Sequence, residues 1–416
     1  ITITSNNKLV YLNIALTFKS AKNLYLDKIK DFIDKPLIKV LVGIRRAGKS
    51  TVFLLFQRHL AKLGISPARI LSYNFEDPDL SHLATWQDVW QEIKPHLSPT
   101  ETTYLFLDEI QLVPSFERLV DGLFSKGNVD LYITGSNAFF LSGELGTLLT
   151  GRYVSYELSP FSFAEFHAAT QSAVPEEDFR KFLRTGGFPL AISLHDTPRL
   201  ADEYLSSVLD TLLFKDVMAR HNFRNPQQLL RLIRFLISAI GSPVSPGSIA
   251  KTLKGEGLPL TPATLDEYLS ALTECYLFHQ VQRYDIRGKS YLKTLSKYYL
   301  ADTGFKYALL GSKDQELGHL LENVIYLELR RRFSGVFTGK LDTGEVDFVA
   351  FEHGLPQYYQ VALTVRDPDT LSRELAPLKV LKDNYPKFLI TLDCDPETNY
   401  DGIRQLYAID FLLGKA

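Results

Sequence analysis

The sequence predicts an α/β fold built on a parallel sheet, and three adjacent stretches predict it. Ile38-Lys39-Val40-Leu41-Val42 is a short β-branched and apolar run of the kind that forms a buried strand. Gly43-Ile44-Arg45-Arg46-Ala47-Gly48-Lys49-Ser50 follows directly and has the G-x-x-x-x-G-K-[ST] spacing of a phosphate-cradling loop. From Lys49 to Leu63, Val52, Leu55, Phe56, His59 and Leu60 fall on one face at helical spacing. A strand feeding a glycine loop that opens a helix points backbone N–H groups and a positive helix end at one phosphate. Gly43 and Gly48 supply backbone freedom and close approach. Lys49 is the candidate to reach the β- and γ-phosphates, and Ser50 to hold Mg²⁺. Arg45, Arg46, Ala47 and Thr51 complete the candidate contacts to a nucleoside triphosphate.

Size and composition set the outer limits. At 416 residues the chain exceeds one compact core and suggests about two to three domains. A net charge of −2 argues against a globally basic nucleic-acid binder and leaves room for a local basic patch. Cys275 and Cys394 lie far apart and suit a reducing compartment better than a disulfide framework, so the expected location is cytoplasmic. No apolar run approaches the roughly 18 residues a membrane helix needs. Leu9 to Phe18 comes nearest, but Asn13 interrupts it and no small-residue cleavage signal follows. No histidine or cysteine pair has the spacing of a zinc site.

Hydrolysis needs more than a phosphate loop. Tyr104-Leu105-Phe106-Leu107-Asp108-Glu109 is an apolar strand ending in two acids. Beside the first strand, with its carboxyl end at the ligand crevice, it would give Mg²⁺ a ligand in Asp108 and the attacking water a partner in Glu109. Ile70 to Phe75 and Leu131 to Thr134 fit the same sheet. Ser136 or Asn137, just past the latter, is placed to touch the γ-phosphate or the water; capping the next helix is the alternative. Arg152 precedes the strand Val154–Leu158. It is a candidate for reaching a phosphate in a neighbouring subunit, a contact worth roughly 10³ to 10⁵ in rate where tested. Pairing with a local acid is the other reading.

Together, Gly43 to Ser50, Leu107-Asp108-Glu109, Ile133 to Asn137 and Leu149-Thr150-Gly151-Arg152-Tyr153 resemble a prokaryotic AAA-type (AAA+) P-loop ATPase. Ser159 to Phe166 and Gly186-Gly187-Phe188-Pro189 resemble the lid segment of the group that carries a C-terminal domain of unknown function. The resemblance implies ATP as the nucleotide, a parallel sheet ordered 5-1-4-3-2, a helical lid and an arginine finger at Arg152. It also implies a polar residue on the second strand, here Asn74, that restrains the catalytic acid.

Beyond the sheet the pattern turns helical. Phe179, Phe182 and Leu183 precede the Gly186-Gly187 break, and Tyr204, Leu205, Val208, Leu209, Leu212 and Leu213 recur at spacings of three and four. Arg180 and Arg184 read as nucleotide sensors or as solvated helix charges. Three helices follow, around Leu229 to Ile237, Ser245 to Leu253 and Thr261 to Tyr276, and then strands Phe278–Val281 and Lys297–Leu300. This is winged-helix order. The third helix holds Asp266, Glu267 and Glu274 and no lysine or arginine, which suits a DNA groove poorly. The wing carries Arg283, Arg287, Lys289, Lys293 and Lys297 as candidate contacts to the backbone of double-stranded DNA. A protein-packing module with an ordinary solvated hairpin is the alternative.

The last stretch resembles a restriction-endonuclease-like core, in which a helix Glu, a strand Asp and a downstream (D/E)-x-K strand hold Mg²⁺. Glu322 and Asp347 match that pattern, while Gln360-Val361-Ala362 stands where the acid and lysine belong. Lys379 or Lys382 is a substitute that nothing local compels. The expected organisation is a P-loop ATPase core over residues 1–158, a helical lid over 159–225, a winged-helix domain over 226–310 and an inactive endonuclease-like domain over 311–416. The leading expectation is a Mg²⁺-dependent ATPase that switches conformation on a protein or DNA target and assembles as a homo-oligomer. A nucleotide-bound scaffold with little hydrolysis and an ATP-controlled nuclease are the alternatives.

Overall fold

The computed structural model of the chain describes residues 23–138, 151–221, 223, 225–255, 257, 260–311, 317–395 and 398–416. The stretch Leu9 to Phe18 and the pair Leu149-Thr150, singled out above, lie outside them. Two compact units divide the chain; the second begins at Phe161, and the short stretch Glu274–Tyr276 belongs to the first.

The first unit is a five-stranded sheet with helices in its connections. In chain order it runs α1 (Asn23–Lys30), β1 (Ile38–Val42), α2 (Lys49–Lys62), β2 (Ile70–Asn74), α3 (Trp86–Ile93), β3 (Thr103–Asp108), α4 (Phe116–Phe124), β4 (Val129–Gly135) and β5 (Tyr153–Glu157). Every pairing is parallel and the order is β2-β3-β4-β1-β5, the order that the resemblance implies. β1 and β3 are buried at every residue, which is why they read as continuous apolar runs and not as alternations. α2 buries Val52, Leu55, Phe56 and Leu60, as their spacing predicts, together with Phe53; His59 sits half-buried at the margin of that stripe. Phe56 and Phe106 both pack on Tyr132, with ring centres 5.1 and 4.6 Å away, and this fastens α2 over β3 and β4.

The second unit opens with α5 (Phe163–Thr170), α6 (Pro175–Thr185) and α7 (Pro198–Thr211), which continues into a wider turn over Leu212–Met218. Phe163, Phe166, Phe179 and Phe182 stack edge to face or tilted and pin α5 on α6. After α6 the chain breaks at Gly186-Gly187. A side chain on Gly186 would strike the Asp302 carboxylate, and the Gly187 N–H donates to that same carboxylate at 2.6 Å. Then come α8 (Pro226–Ser238), α9 (Pro246–Gly255), α10 (Pro262–Glu274), β6 (Phe278–Asp285), β7 (Ser290–Leu300), α11 (Gly304–Leu310) and α12 (Leu317–Arg332). The unit closes with β8 (Gly335–Lys340), β9 (Glu345–Glu352), β10 (Leu355–Val361), α13 (Pro368–Lys379), β11 (Lys387–Thr391), β12 (Asn399–Tyr400), β13 (Ile403–Tyr407) and α14 (Ala408–Leu412).

The hairpin read as a wing differs from expectation in two ways. β6 and β7 pair antiparallel as predicted, Phe278 opposite Leu300, but they also join the last strands in one eight-stranded sheet ordered β12-β13-β11-β10-β9-β8-β6-β7. Aromatic contacts explain the join: Tyr284 and Tyr291 pack with Phe337 on β8, and Tyr284 with Phe351 on β9. The second difference corrects the list of wing cations. Lys297 is 3% exposed and forms ion pairs with Glu322, Glu345 and Asp347, so it has no phosphate-facing surface. Arg287 and Lys289 are exposed, and Arg287 pairs with Asp342. Among the described residues no helix is long and apolar enough to cross a membrane.

A buried charge anchors the amino edge of the first sheet. Lys39 points inward from β1 and is 2% exposed. Its ammonium donates to the Asp130 carboxylate on β4 and to the Lys35 carbonyl. Asp130 also accepts from the Tyr132 hydroxyl at 2.8 Å and from the Asp34 N–H at 3.1 Å. Burial pulls Lys39 below its ordinary pKa and Asp130 above its own, and their mutual attraction works against both shifts. Removing one partner strands the other charge in the interior, which typically costs about 3–5 kcal/mol. Asp130→Ala is therefore expected to lower the unfolding free energy by about that amount in urea titrations. A loss below about 1 kcal/mol would show that water takes the carboxylate's place.

Candidate nucleotide-binding site

In a parallel sheet all carboxyl ends lie along one edge, where open α/β folds bind ligands. β1 ends there in Val42, just before Gly43, β3 in Asp108 and β4 in Gly135. Gly43 has φ 134°, and a Cβ there would lie 2.2 Å from the Leu158 carbonyl oxygen, so only glycine lets the chain after β5 press on the loop. That chain is held by the Leu158 N–H, which donates to the Val42 carbonyl at 2.7 Å. Gly48, at φ 103°, opens α2 without a capping side chain, and the first turn of the helix has no acid. The positive end of α2 is therefore left for an anion. Arg46 takes the left-handed conformation at φ 69° and is exposed, while Ala47 is buried in the loop's turn.

The side chains expected at this edge converge. Lys49 is 4% exposed; its ammonium donates to the carbonyls of Gly43 and Ile44 at 3.0 and 3.4 Å and lies 3.5 Å from Glu109 Oε1. Asp108 accepts the Thr134 hydroxyl at 2.6 Å and a hydrogen bond from Ser50. Burial raises the Asp108 pKa, and these two hydroxyls oppose the rise. Glu109 stands in the left-handed region at φ 54°, and its N–H donates to Thr134 Oγ1 at 2.8 Å. Burial pushes the Glu109 carboxyl up, but Lys49, Gln111, Arg45 and Ser136 outweigh it and hold the group below its ordinary value. The Ser50 hydroxyl and Asp108 carboxylate together form an all-oxygen donor set that fits a magnesium ion.

Two residues given no role in the sequence reading organise this edge. Thr134 bridges both acids, and Gln111 bonds Glu109 and reaches Ser136 at 3.3 Å. The signal for Thr134 was its place at the end of the strand beside β3; nothing local marks Gln111. Ser136 and Asn137 are both fully buried just past β4. Asn74 is opposite Asp108 in register, with its side-chain oxygen accepting the Glu76 N–H at 3.0 Å. Arg45 pairs with Glu76.

Arg152 lies elsewhere. It precedes β5, and its carbonyl accepts the Ile38 N–H at 2.8 Å, so it marks the amino edge of the sheet, opposite the glycine loop. Its guanidinium pairs with Asp121 at 2.8 Å and lies over the Phe124 ring. In the second unit both terminal guanidinium nitrogens of Arg184 bond Asp202, and Arg180 is exposed. Glu322 and Asp347 are brought together, as the sequence pattern expects; burial and the Glu322 charge push the Asp347 carboxyl up, and Lys297 opposes the rise. Lys379 is turned to Asp401 at 3.9 Å.

Comparison with known proteins fits this geometry. Residues 35–167 match the family described as an AAA domain, and residues 176–316 match a domain of unknown function. A protein of Haemophilus influenzae, described as uncharacterized, is 38% identical over 394 residues, which are 94% of this chain and 97% of that one. An uncharacterized protein of Methanocaldococcus jannaschii is 30% identical over 362 residues, 83% of this chain and 79% of its own. Among solved structures, a Walker-type ATPase of Pyrococcus abyssi aligns over 68% of this chain and 94% of its own, at 14% identity and a TM-score of 0.45. The Aeropyrum pernix ORC1 protein in complex with DNA aligns over 69% and 91%, at 14% identity and a TM-score of 0.32. The chain belongs to the family of the Haemophilus influenzae and Methanocaldococcus jannaschii proteins, and its residues 35–167 form an AAA-type P-loop domain.

Proposed function

We propose that the chain is a Mg²⁺-dependent ATPase whose nucleotide state drives a conformational switch on a protein or DNA target. The observation that carries this reading is the meeting of Lys49, Ser50, Asp108 and Glu109 at one sheet edge, with the Thr134 hydroxyl tying the two acids together. The loop N–H groups and the Lys49 ammonium bind the phosphates. Ser50 and Asp108 are the residues that would hold Mg²⁺, which when bound neutralises charge on the phosphate oxygens. Glu109, kept ionised by Lys49 and its hydrogen bonds, accepts a hydrogen bond from the attacking water and orients it. Arriving phosphate competes with Glu109 for Lys49, so nucleotide binding and release of the acid are coupled. Arg45, Arg46 and Thr51 flank the phosphates, and Asn137 senses them from the end of β4.

The finer organisation is part of the same proposal. Residues 159–225 act as the lid. Residues 226–310 form a winged-helix module, supported by three helices followed by a hairpin, and residues 311–416 an inactive endonuclease-like domain, supported by Glu322 and Asp347 on α12 and β9. No disulfide joins the buried Cys275 and the exposed Cys394, which supports a reducing, cytoplasmic location. Arg152 acts on the nucleotide of a neighbouring copy in a homo-oligomer.

Steady-state ATP turnover tests these assignments. Lys49→Ala is expected to lose nucleotide binding and turnover together. Glu109→Gln should keep binding while kcat falls about 10²- to 10⁴-fold, the usual worth of a positioned acid or base. Nucleotide retained with no turnover in the unaltered protein would favour the scaffold instead. Thr134→Val leaves Asp108 and the Glu109 N–H without their shared partner and should cost about 1–3 kcal/mol of stability along with at least about tenfold in kcat. Full turnover in that variant would remove the hydroxyl from the mechanism. If Arg152 serves a neighbour, specific activity rises with protein concentration and Arg152→Ala abolishes the rise. Stimulation by double-stranded DNA would assign the target to DNA through Arg287 and Lys289; indifference would assign it to a protein.

A further inference from the structure

Three carboxylates from two elements converge on one ammonium inside the second unit. Lys297, on β7, is 3% exposed. Its Nζ lies 2.8 Å from Glu345 Oε1, 3.2 Å from Glu322 Oε1 and 3.8 Å from Asp347 Oδ1. Glu322 comes from α12, and Glu345 and Asp347 from alternate positions of β9, which places both on one face of the strand. Two of these acids accept a further hydrogen bond. Tyr299, next but one to Lys297, donates its hydroxyl to Glu322 Oε1 at 2.6 Å, and Asp347 Oδ2 accepts the Val361 N–H at 2.9 Å.

Glu322 and Asp347 are the acids whose pattern resembles a Mg²⁺-dependent nuclease core, so the donor set decides whether such an ion fits. It does not fit. Mg²⁺ demands oxygens at about 2.0–2.1 Å in near-octahedral order. Here the point on which the three carboxylates converge is taken by a positive group, and a divalent cation there would be repelled at contact distance. Neither position that should supply the further acid and lysine helps. Gln360 spends its amide on the Asp347 N–H and on Glu374 Oε2, at 3.3 and 3.0 Å, and Ala362 has no charge to offer. Burial opposes the charge on Lys297, but Glu322, Asp347 and Glu345 outweigh it and hold the ammonium well above lysine's ordinary range. It is therefore a fixed cation and a poor proton acceptor.

We propose that Lys297 is the resident cation of this cluster: its ammonium takes the position of a divalent metal ion, so the carboxylates are held without metal. The same side chain ties the β6/β7 hairpin to α12 and β9. A latent divalent-cation site lies beneath it, and removing the ammonium exposes that site. The inference is independent of the ATPase reading, since no residue of the nucleotide edge takes part.

The test titrates nucleotide-free, full-length protein with Mn²⁺ and follows free Mn²⁺ by electron paramagnetic resonance. Asp108→Asn is present throughout, so that the phosphate-loop edge does not contribute a site. The parent is expected to bind no Mn²⁺ at this cluster. Lys297→Met, which keeps the length of the side chain and drops its charge, should gain one site at least about tenfold tighter than anything in the parent. Adding Asp347→Asn should abolish it. Thermal melting gives a second readout: Mn²⁺ should raise the midpoint of Lys297→Met and leave the parent unmoved. A parent that binds one Mn²⁺ and loses it on Asp347→Asn overturns the proposal, and that arm needs no variant at Lys297. A folded Lys297→Met that binds no better than the parent overturns it too.

Discussion

Thr134 has one hydroxyl and two obligations. It donates to Asp108 and accepts from the N–H of Glu109, so the side chain of one residue and the backbone of the next are positioned by one atom on the neighbouring strand. That atom is in place only because β4 lies parallel beside β3 with Leu107 opposite Ile133. A shift of one residue would turn Thr134 to the other face. The hydrogen bond also lets Glu109 keep its left-handed backbone, since the N–H that this turn removes from the ladder finds a partner at once. The position of the acids relative to Lys49 thus rests on strand register, and register rests on the aromatic packing of Phe56, Phe106 and Tyr132 beneath it.

How much of this was legible in sequence follows from how local each interaction is. Strand, glycine loop and helix are contiguous, so spacing alone reveals them, and the parallel order followed from the resemblance those motifs carried. Partners distant in the chain left no trace. Lys39 reads as a stray charge in an apolar strand because Asp130 is 91 residues away. Lys297 reads as one more cation of a basic hairpin, because Glu322 and the acids of β9 come later and from other elements. The hairpin's own length was also understated: the sequence shows only its apolar ends, whereas Tyr284 and Tyr291 are given their purpose by Phe337 and Phe351.

Three of the buried lysines show how the chain uses one side chain for different ends. Lys39 and Lys297 are enclosed by carboxylates and further hydrogen-bonded groups, arrangements whose disruption strands a charge. Lys49 is held more loosely. Two of its partners are backbone carbonyls, and its one carboxylate stands 3.5 Å away, beyond a good hydrogen bond. Exchanging those contacts for phosphate oxygens costs little, whereas no ligand could profitably take Lys39 from Asp130. Commitment of the partner distinguishes the fixed lysines from the one available for binding.

The same geometric reasoning limits what Arg152 can do. It stands one residue before β5, level with the start of β1, and the glycine loop begins where β1 ends. Five residues of strand separate those levels, roughly 16 Å at about 3.3 Å per residue. The guanidinium is also held sideways on α4, by Asp121 and the Phe124 ring. An arginine so placed does not reach the phosphates of its own loop. If it stabilises charge in phosphoryl transfer, that charge belongs to another copy of the chain, and catalysis then requires assembly. The half-exposed pair with Asp121 suits such a role, because a surface ion pair of that kind is worth at most about 1 kcal/mol and yields readily to a phosphate.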